Sequence, residues 1–102
     1  MKLYIDTSQR EEITISLDKE IHKTSSKKEK SQKILPFIDE VLRKKKLTLK
    51  DLTEIEVYTG PGSFTGLKVG VSVAQALGWA LGIPVNGKDM KKGETINITY
   101  EK

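Results

Sequence analysis

Gly60-Pro61-Gly62-Ser63-Phe64-Thr65-Gly66-Leu67-Lys68-Val69-Gly70 follows a strand-like stretch, Glu54 to Tyr58, and opens the least charged part of this 102-residue chain. Glycines at 60, 62 and 66 with Pro61 suit a sharp strand-to-helix turn, and Ser63 or Thr65 can cap the free N–H groups at the helix start. Backbone donors and the positive helix end converging on one spot can hold an anion. No Gly-Lys-Ser/Thr closes the run, so it fails the phosphate-loop pattern, and Phe64 puts an aromatic ring where a bare phosphate cradle has none. Two readings of the turn therefore stand: an anion site, or a tight corner that seats the helix.

Between Val69 and Asn86 there is no charged residue. A helix from about Ser63 to Leu81 has Lys68 as its only charge and is expected to be buried on several faces. A small domain hides only about 60–65% of its unfolded surface, so such a helix is hard to cover from within. Gly66, Gly70, Ala74 and Gly78 recur every four residues. That strip is expected to let another backbone approach closely, while Leu77 and Trp79 lie on other faces. One face takes the chain's own sheet; a second asks for a partner. A membrane span competes, because about 18 uncharged residues approach the required length. Glycines, Ser72 and Gln75 dilute the stretch and Pro84 ends it, so no span is expected. Asp6 interrupts the short apolar start, and no signal peptide is expected.

The length points to one domain. With no cysteine, disulfide scaffolds, zinc–thiolate sites and thiol catalysis are excluded, and a cytoplasmic home is the expectation. The formal charge is +4, with lysines clustered at 27–33, 44–46 and 88–92. Solvated helix ends explain these clusters, or a polyanion such as RNA; no aromatic residues are interleaved to stack on bases.

Alternating residues predict strands at Lys2–Asp6, Glu12–Leu17 and about Lys19–Thr24. Ser26 and Glu29 read as a capping box for a helix from about Lys27 to Lys45. Its apolar residues Ile34, Leu35, Phe37, Ile38, Val41 and Leu42 span about 160°, wider than an ordinary stripe, and Pro36 is expected to bend it. Thr48–Leu52 reads as one short helical turn. After the uncharged helix, Ile83-Pro84-Val85 reads as a short strand, and a last strand is expected at 94–100. The fold class is α/β, with a mixed sheet of about five to six strands and two main helices. Residues 1–87 form the lobe and 88–102 a tail.

Four stretches, in order, resemble the N-terminal lobe of the TsaB (YeaZ) family of tRNA threonylcarbamoyladenosine biosynthesis. They are Leu3-Tyr4-Ile5-Asp6-Thr7-Ser8, the helix run Ser31 to Leu42, the Gly60 to Gly70 block, and Gly82-Ile83-Pro84-Val85. The resemblance covers residues 2 to about 87, and its Gly60 block is the specific part. It implies a ribonuclease-H-like lobe of the actin and sugar-kinase type. It further implies a non-catalytic subunit that binds a TsaD-like catalytic subunit, or a second copy of itself, through its first and second helices. That complex modifies adenosine 37 of tRNA, so tRNA is reached only indirectly and no membrane is involved. The implied interface residues are Ile34, Phe37, Ile38, Val41, Gly66, Gly70, Ala74, Leu77, Gly78 and Trp79. No cofactor is expected for the chain alone, and a magnesium nucleotide only in the shared complex. Family members carry a second lobe after the strand at Ile83-Pro84-Val85, whereas this sequence stops about fifteen residues on. Their first-helix signature has His where Lys30 stands, and the tail has no counterpart.

Beside that reading, Asp6 at a strand end either holds a magnesium nucleotide, with Thr7, Gly60, Gly62, Ser63 and Thr65, or caps the turn through Ser8. His22, the only histidine, has no partner ligands at a useful spacing and is expected in solvent; no metal site is expected. Ser63 lacks the Gly-x-Ser-x-Gly setting of a nucleophile, so no catalytic residue is assigned. A nucleotide-binding lobe, an RNA-binding accessory module and a half-protein that only homodimerises are the competing functions.

Overall fold

The computed structural model describes residues 1–27 and 29–99. Period-two patterning yields β1 (Lys2–Asp6), β2 (Glu12–Leu17) and β3 (Glu20–Ser25), followed by α1 (Lys30–Lys44), β4 (Glu54–Val57) and α2 (Phe64–Leu81). The sheet order is β3-β2-β1-β4, with β4 parallel to β1 and the other pairs antiparallel. Register places Leu3 between Leu17 and Ile55, and Ile5 between Ile15 and Val57. All six are buried, so one face of the sheet is continuously apolar. Both helices cover that face: α2 lies over β1 and β4, and α1 over β2. No helix among the described residues is long and apolar enough to cross a membrane.

The first helix starts later than its pattern suggests. Ser26 is still held to the chain beside β2 just past the end of β3: its N–H donates to Glu11 O at 2.8 Å and the residue is buried. It is therefore not the helix cap. Glu29, left-handed at φ 65°, is the cap and makes no side-chain capping bond. Of the wide apolar arc, Ile34, Ile38, Val41 and Leu42 are buried, an ordinary stripe of about 100°. The two margins stay outside, with Leu35 exposed and Phe37 half-buried. The 3₁₀ turn at Leu49–Asp51 carries a capping box between Thr48 and Asp51.

Among the described residues four strands form, not five or six, and each missing strand has a local reason. At Ile83-Pro84-Val85 only Val85 bridges to Ile55. Asn86 (φ 50°) and Gly87 (φ 76°) then both take left-handed backbone and reverse the chain, so that Lys88 bridges back to Val85. The strand expected at 94–100 is also absent: residues 94–99 have no regular structure, and Tyr100 lies outside the described residues. Alternation there reflects burial without pairing. Ile96 and Ile98 pack against the core while Thr95, Asn97 and Thr99 face outward. Met90, in a 3₁₀ turn at Met90–Lys92, is buried with the core.

Candidate functional site

The site forms where the end of β1 meets the starts of both helices. Gly60 has φ +121°, and the Ser63 side chain caps α2 by accepting from Gly66 N at 3.5 Å. At the far end Gly82, left-handed at φ 67°, closes the helix.

Thr7 holds the two elements together. It is buried, its Oγ1 donates to Gly66 O at 2.5 Å, and the same oxygen accepts from Gly70 N at 3.0 Å. The hydroxyl thus bridges both ends of one helical step. Glycine is required at Gly70, where a Cβ would lie 2.8 Å from Thr7 Oγ1; one on Gly66 would lie 3.1 Å from Thr7 O, a tight contact. Replacing Thr7 by valine keeps the volume and removes the hydroxyl from beside Gly66 O and Gly70 N, which remain each other's partners as i and i+4 of α2. The expected cost is about 0.5–1.5 kcal/mol, read as a lower denaturation midpoint; an unchanged midpoint contradicts a stabilising bridge.

Asp6 caps a turn. Its Oδ1 accepts from Ser8 N at 2.8 Å and from Ser8 Oγ at 2.6 Å. Lys30, the first residue of α1, reaches back and donates Nζ to Thr7 O at 3.0 Å and to Gln9 O. Burial pulls its ammonium below the ordinary value of 10.5, against the opposing charges of Asp6 and Glu12. Below 10.5 the unfolded chain holds that proton more firmly than the folded one, so this contribution to stability rises with pH up to 10.5. The stability difference between the parent and Lys30→Met should accordingly shift in the parent's favour between neutral pH and 10.5. A pH-independent difference in urea midpoints contradicts this.

A groove of about 610 Å³ opens beside these residues, lined by Ser8, Arg10, Glu11, Lys27, Glu29, Lys30, Ser63 and Thr65 among others. Its three cations face two carboxylates, one of them the Glu29 cap of α1, so the start of α2 at Ser63 is the part that suits an anion. The expected turn residues do not all gather there. Gly60 lines a separate depression of about 410 Å³ with Tyr4, Glu56, Tyr58 and Asn86. A Cβ on Gly62 would meet Ser8 Cβ at 3.6 Å, ordinary contact. Sequence reasoning missed Lys30 as a tether, although a lysine at a helix N-terminus, against the helix dipole, was the available signal. His22 is half-buried rather than exposed, with Nε2 3.4 Å from Glu20 Oε1. Among the described residues no three metal-ligating side chains gather.

The residues expected at a partner interface lie mostly inside the chain's own fold. Ile34, Ile38, Val41, Gly70, Ala74, Leu77 and Gly78 are buried, and Gly66 and Phe37 are half-buried. The small-residue strip faces inward: Gly70 sits against Thr7 and Ile5, and a Cβ on Gly78 would lie 2.4 Å from Val85 Cγ2. It seats α2 on this chain's sheet and is not open to another molecule's backbone. Trp79, by contrast, is 60% exposed, with Lys91 Nζ 5.9 Å from its ring centre. On the same outward side Ser72, Ala76 and Ala80 are exposed, a second small strip at the same spacing.

A family model described as TsaD, tRNA N6-adenosine threonylcarbamoyltransferase, matches residues 12–88. The tRNA threonylcarbamoyladenosine biosynthesis protein TsaB of Buchnera aphidicola subsp. Schizaphis graminum is 48% identical over 61 residues, 60% of this chain and 29% of that protein. The Bacillus subtilis protein of the same name is 38% identical over 63 residues, 62% of this chain and 28% of its own length. Among solved structures, YeaZ from Pseudomonas aeruginosa superposes with a TM-score of 0.70 at 28% identity, covering 82% of this chain and 41% of that one. The chain therefore spans less than half the length of these relatives. Its mixed four-stranded lobe with two helices on one face, matched over most of its residues, belongs to the family described as TsaD, tRNA N6-adenosine threonylcarbamoyltransferase, and within it is TsaB-like.

Proposed function

We propose that the chain is a non-catalytic interaction subunit in tRNA threonylcarbamoyladenosine synthesis. It associates helix to helix with a TsaD-like catalytic subunit or with a second copy, and reaches tRNA through that complex in the cytoplasm. Residues 1–87 serve as a ribonuclease-H-like lobe and 88–102 as its tail. The observation that carries the reading is the outer side of α2, where Ser72, Ala76, Trp79 and Ala80 are exposed, Lys68 is the helix's own single charge and Lys91 lies over the Trp79 ring. Such a surface is flat and cheap to desolvate, and an exposed tryptophan is a favoured anchor for a partner.

The chain alone is assigned no cofactor, a reading that the use of Asp6 Oδ1 within its own turn supports. A magnesium nucleotide, with the anion groove, is assigned to the shared complex only. Sedimentation of the purified chain, alone and with a TsaD-like subunit, tests the proposal. A change in assembly size on mixing, or a dimer alone, is the expected result; a monomer indifferent to added partner at high concentration ends it.

A further inference from the structure

The outer edge of β4 is closed in an unusual way. Tyr58 N donates inward to Ile5 O at 2.9 Å, so the residues pointing outward are Ile55, Val57 and Thr59. Each is closed by a different piece of chain. Ile55 N donates to Pro84 O, and Asn86 N to Ile55 O, both at 2.9 Å. At Val57 a side chain replaces the strand: Asn86 Oδ1 accepts from Val57 N at 2.8 Å, and Asn86 Nδ2 donates to Val57 O at 3.1 Å. Thr59 O accepts from Thr99 N at 2.8 Å, where the Thr99 backbone lies against Gly60.

A carboxamide carries the same donor and acceptor pair as a peptide group, so Asn86 stands in for one residue of an absent neighbouring strand. Its left-handed backbone, φ 50°, turns the chain away after Val85 and brings the amide back onto β4. Glycine and asparagine tolerate that conformation best, and only asparagine also supplies the amide. Unpaired strand edges recruit other strands.

We propose that the edge from Val57 to Thr59 is a latent strand-pairing site for the same edge of a second copy, and that the Asn86 side chain and the Thr99 backbone keep it closed. Two copies of β4 joined about a two-fold axis pair antiparallel, each supplying the outward groups the other lacks. The site is separate from the outer face of α2, and neither proposal depends on the other.

Asn86→Gly removes the carboxamide while retaining the left-handed backbone. The test uses it in an Ala76→Arg background, which takes helix-face association out of the comparison. At low concentration Val57 N–H is expected to exchange about tenfold faster or more than in Ala76→Arg alone. At high concentration the assembly mass is expected to double and the Val57 protection to return. Asn86→Asp keeps an acceptor for Val57 N and loses the donor to Val57 O, so Val57 N–H should stay protected and the Ala76→Arg mass should be kept, since a carboxylate repels a second edge. Asn86→Ala, which also lacks the carboxamide, is the second probe should Asn86→Gly not fold; it too is expected to raise the mass. Val57 exchange as slow as in the background, or fast exchange with the background mass at every concentration, overturns the proposal. For Asn86→Ala, an unchanged mass does so.

Discussion

Replacing Gly70 by leucine is expected to unfold the chain or lower its melting temperature by about 10–20 °C, as a cost of about 3 kcal/mol does in a domain of this size. The first added carbon alone would stand 2.8 Å from Thr7 Oγ1 and 3.2 Å from Ile5 Cγ2, both on β1. Neither neighbour can yield, since Ile5 is fully buried between β2 and β4 and Thr7 is bonded to the helix itself. The bridge from Thr7 to Gly66 and Gly70 breaks at the same time. Ser72→Leu, one half-turn away on the exposed side, is the control and should lie within about 0.5 kcal/mol of the parent. Thermal melts followed by circular dichroism decide the matter. If Gly70→Leu melts with the parent, α2 is not seated on β1 as described.

The second large effect concerns association. Trp79→Ala should weaken binding to the partner by about 30-fold, the equivalent of about 2 kcal/mol for a central aromatic anchor. Its melting temperature should stay close to the parent's, because Trp79 is 60% exposed and supports little of the core. Ala76→Arg on the same face should weaken binding at least as much, by placing a charge and a long side chain in the contact. Titration by sedimentation or calorimetry against the TsaD-like subunit, and against the chain itself, gives the numbers. Full binding by both variants removes the outer face of α2 from the proposal. A folding defect in Gly70→Leu beside an association defect in Trp79→Ala separates the two sides of one helix.

Much was legible from local pattern. Leu3 and Ile5, then Ile13 and Ile15, alternate as strands because one face of each is buried. The Gly60–Gly66 turn and its Ser63 cap were legible because glycine and serine act through their own backbone neighbourhood. Asp6 before Ser8 announced its turn in the same way. The edge elements were not legible. Ile96 and Ile98 alternate like a strand, yet the alternation records only which side chains are buried; whether backbone groups find a ladder depends on a neighbour that no local pattern contains. At Val85, two left-handed residues in succession ended a strand that its composition favoured.

Spacing along the chain was enough to establish that α2 carries small residues every four positions and too little charge to stand alone in water. It could not establish which way the strip Gly66, Gly70, Ala74 and Gly78 faces, because periodicity defines faces relative to one another and not relative to the rest of the molecule. Tertiary packing decided that. The buried Thr7 hydroxyl needs the backbone of α2 within hydrogen-bonding distance, and only a side-chain-free surface lets β1 come so near. The strip is therefore turned onto the sheet, and Ser72, Ala76, Trp79 and Ala80 are left outward by the geometry of the same helix.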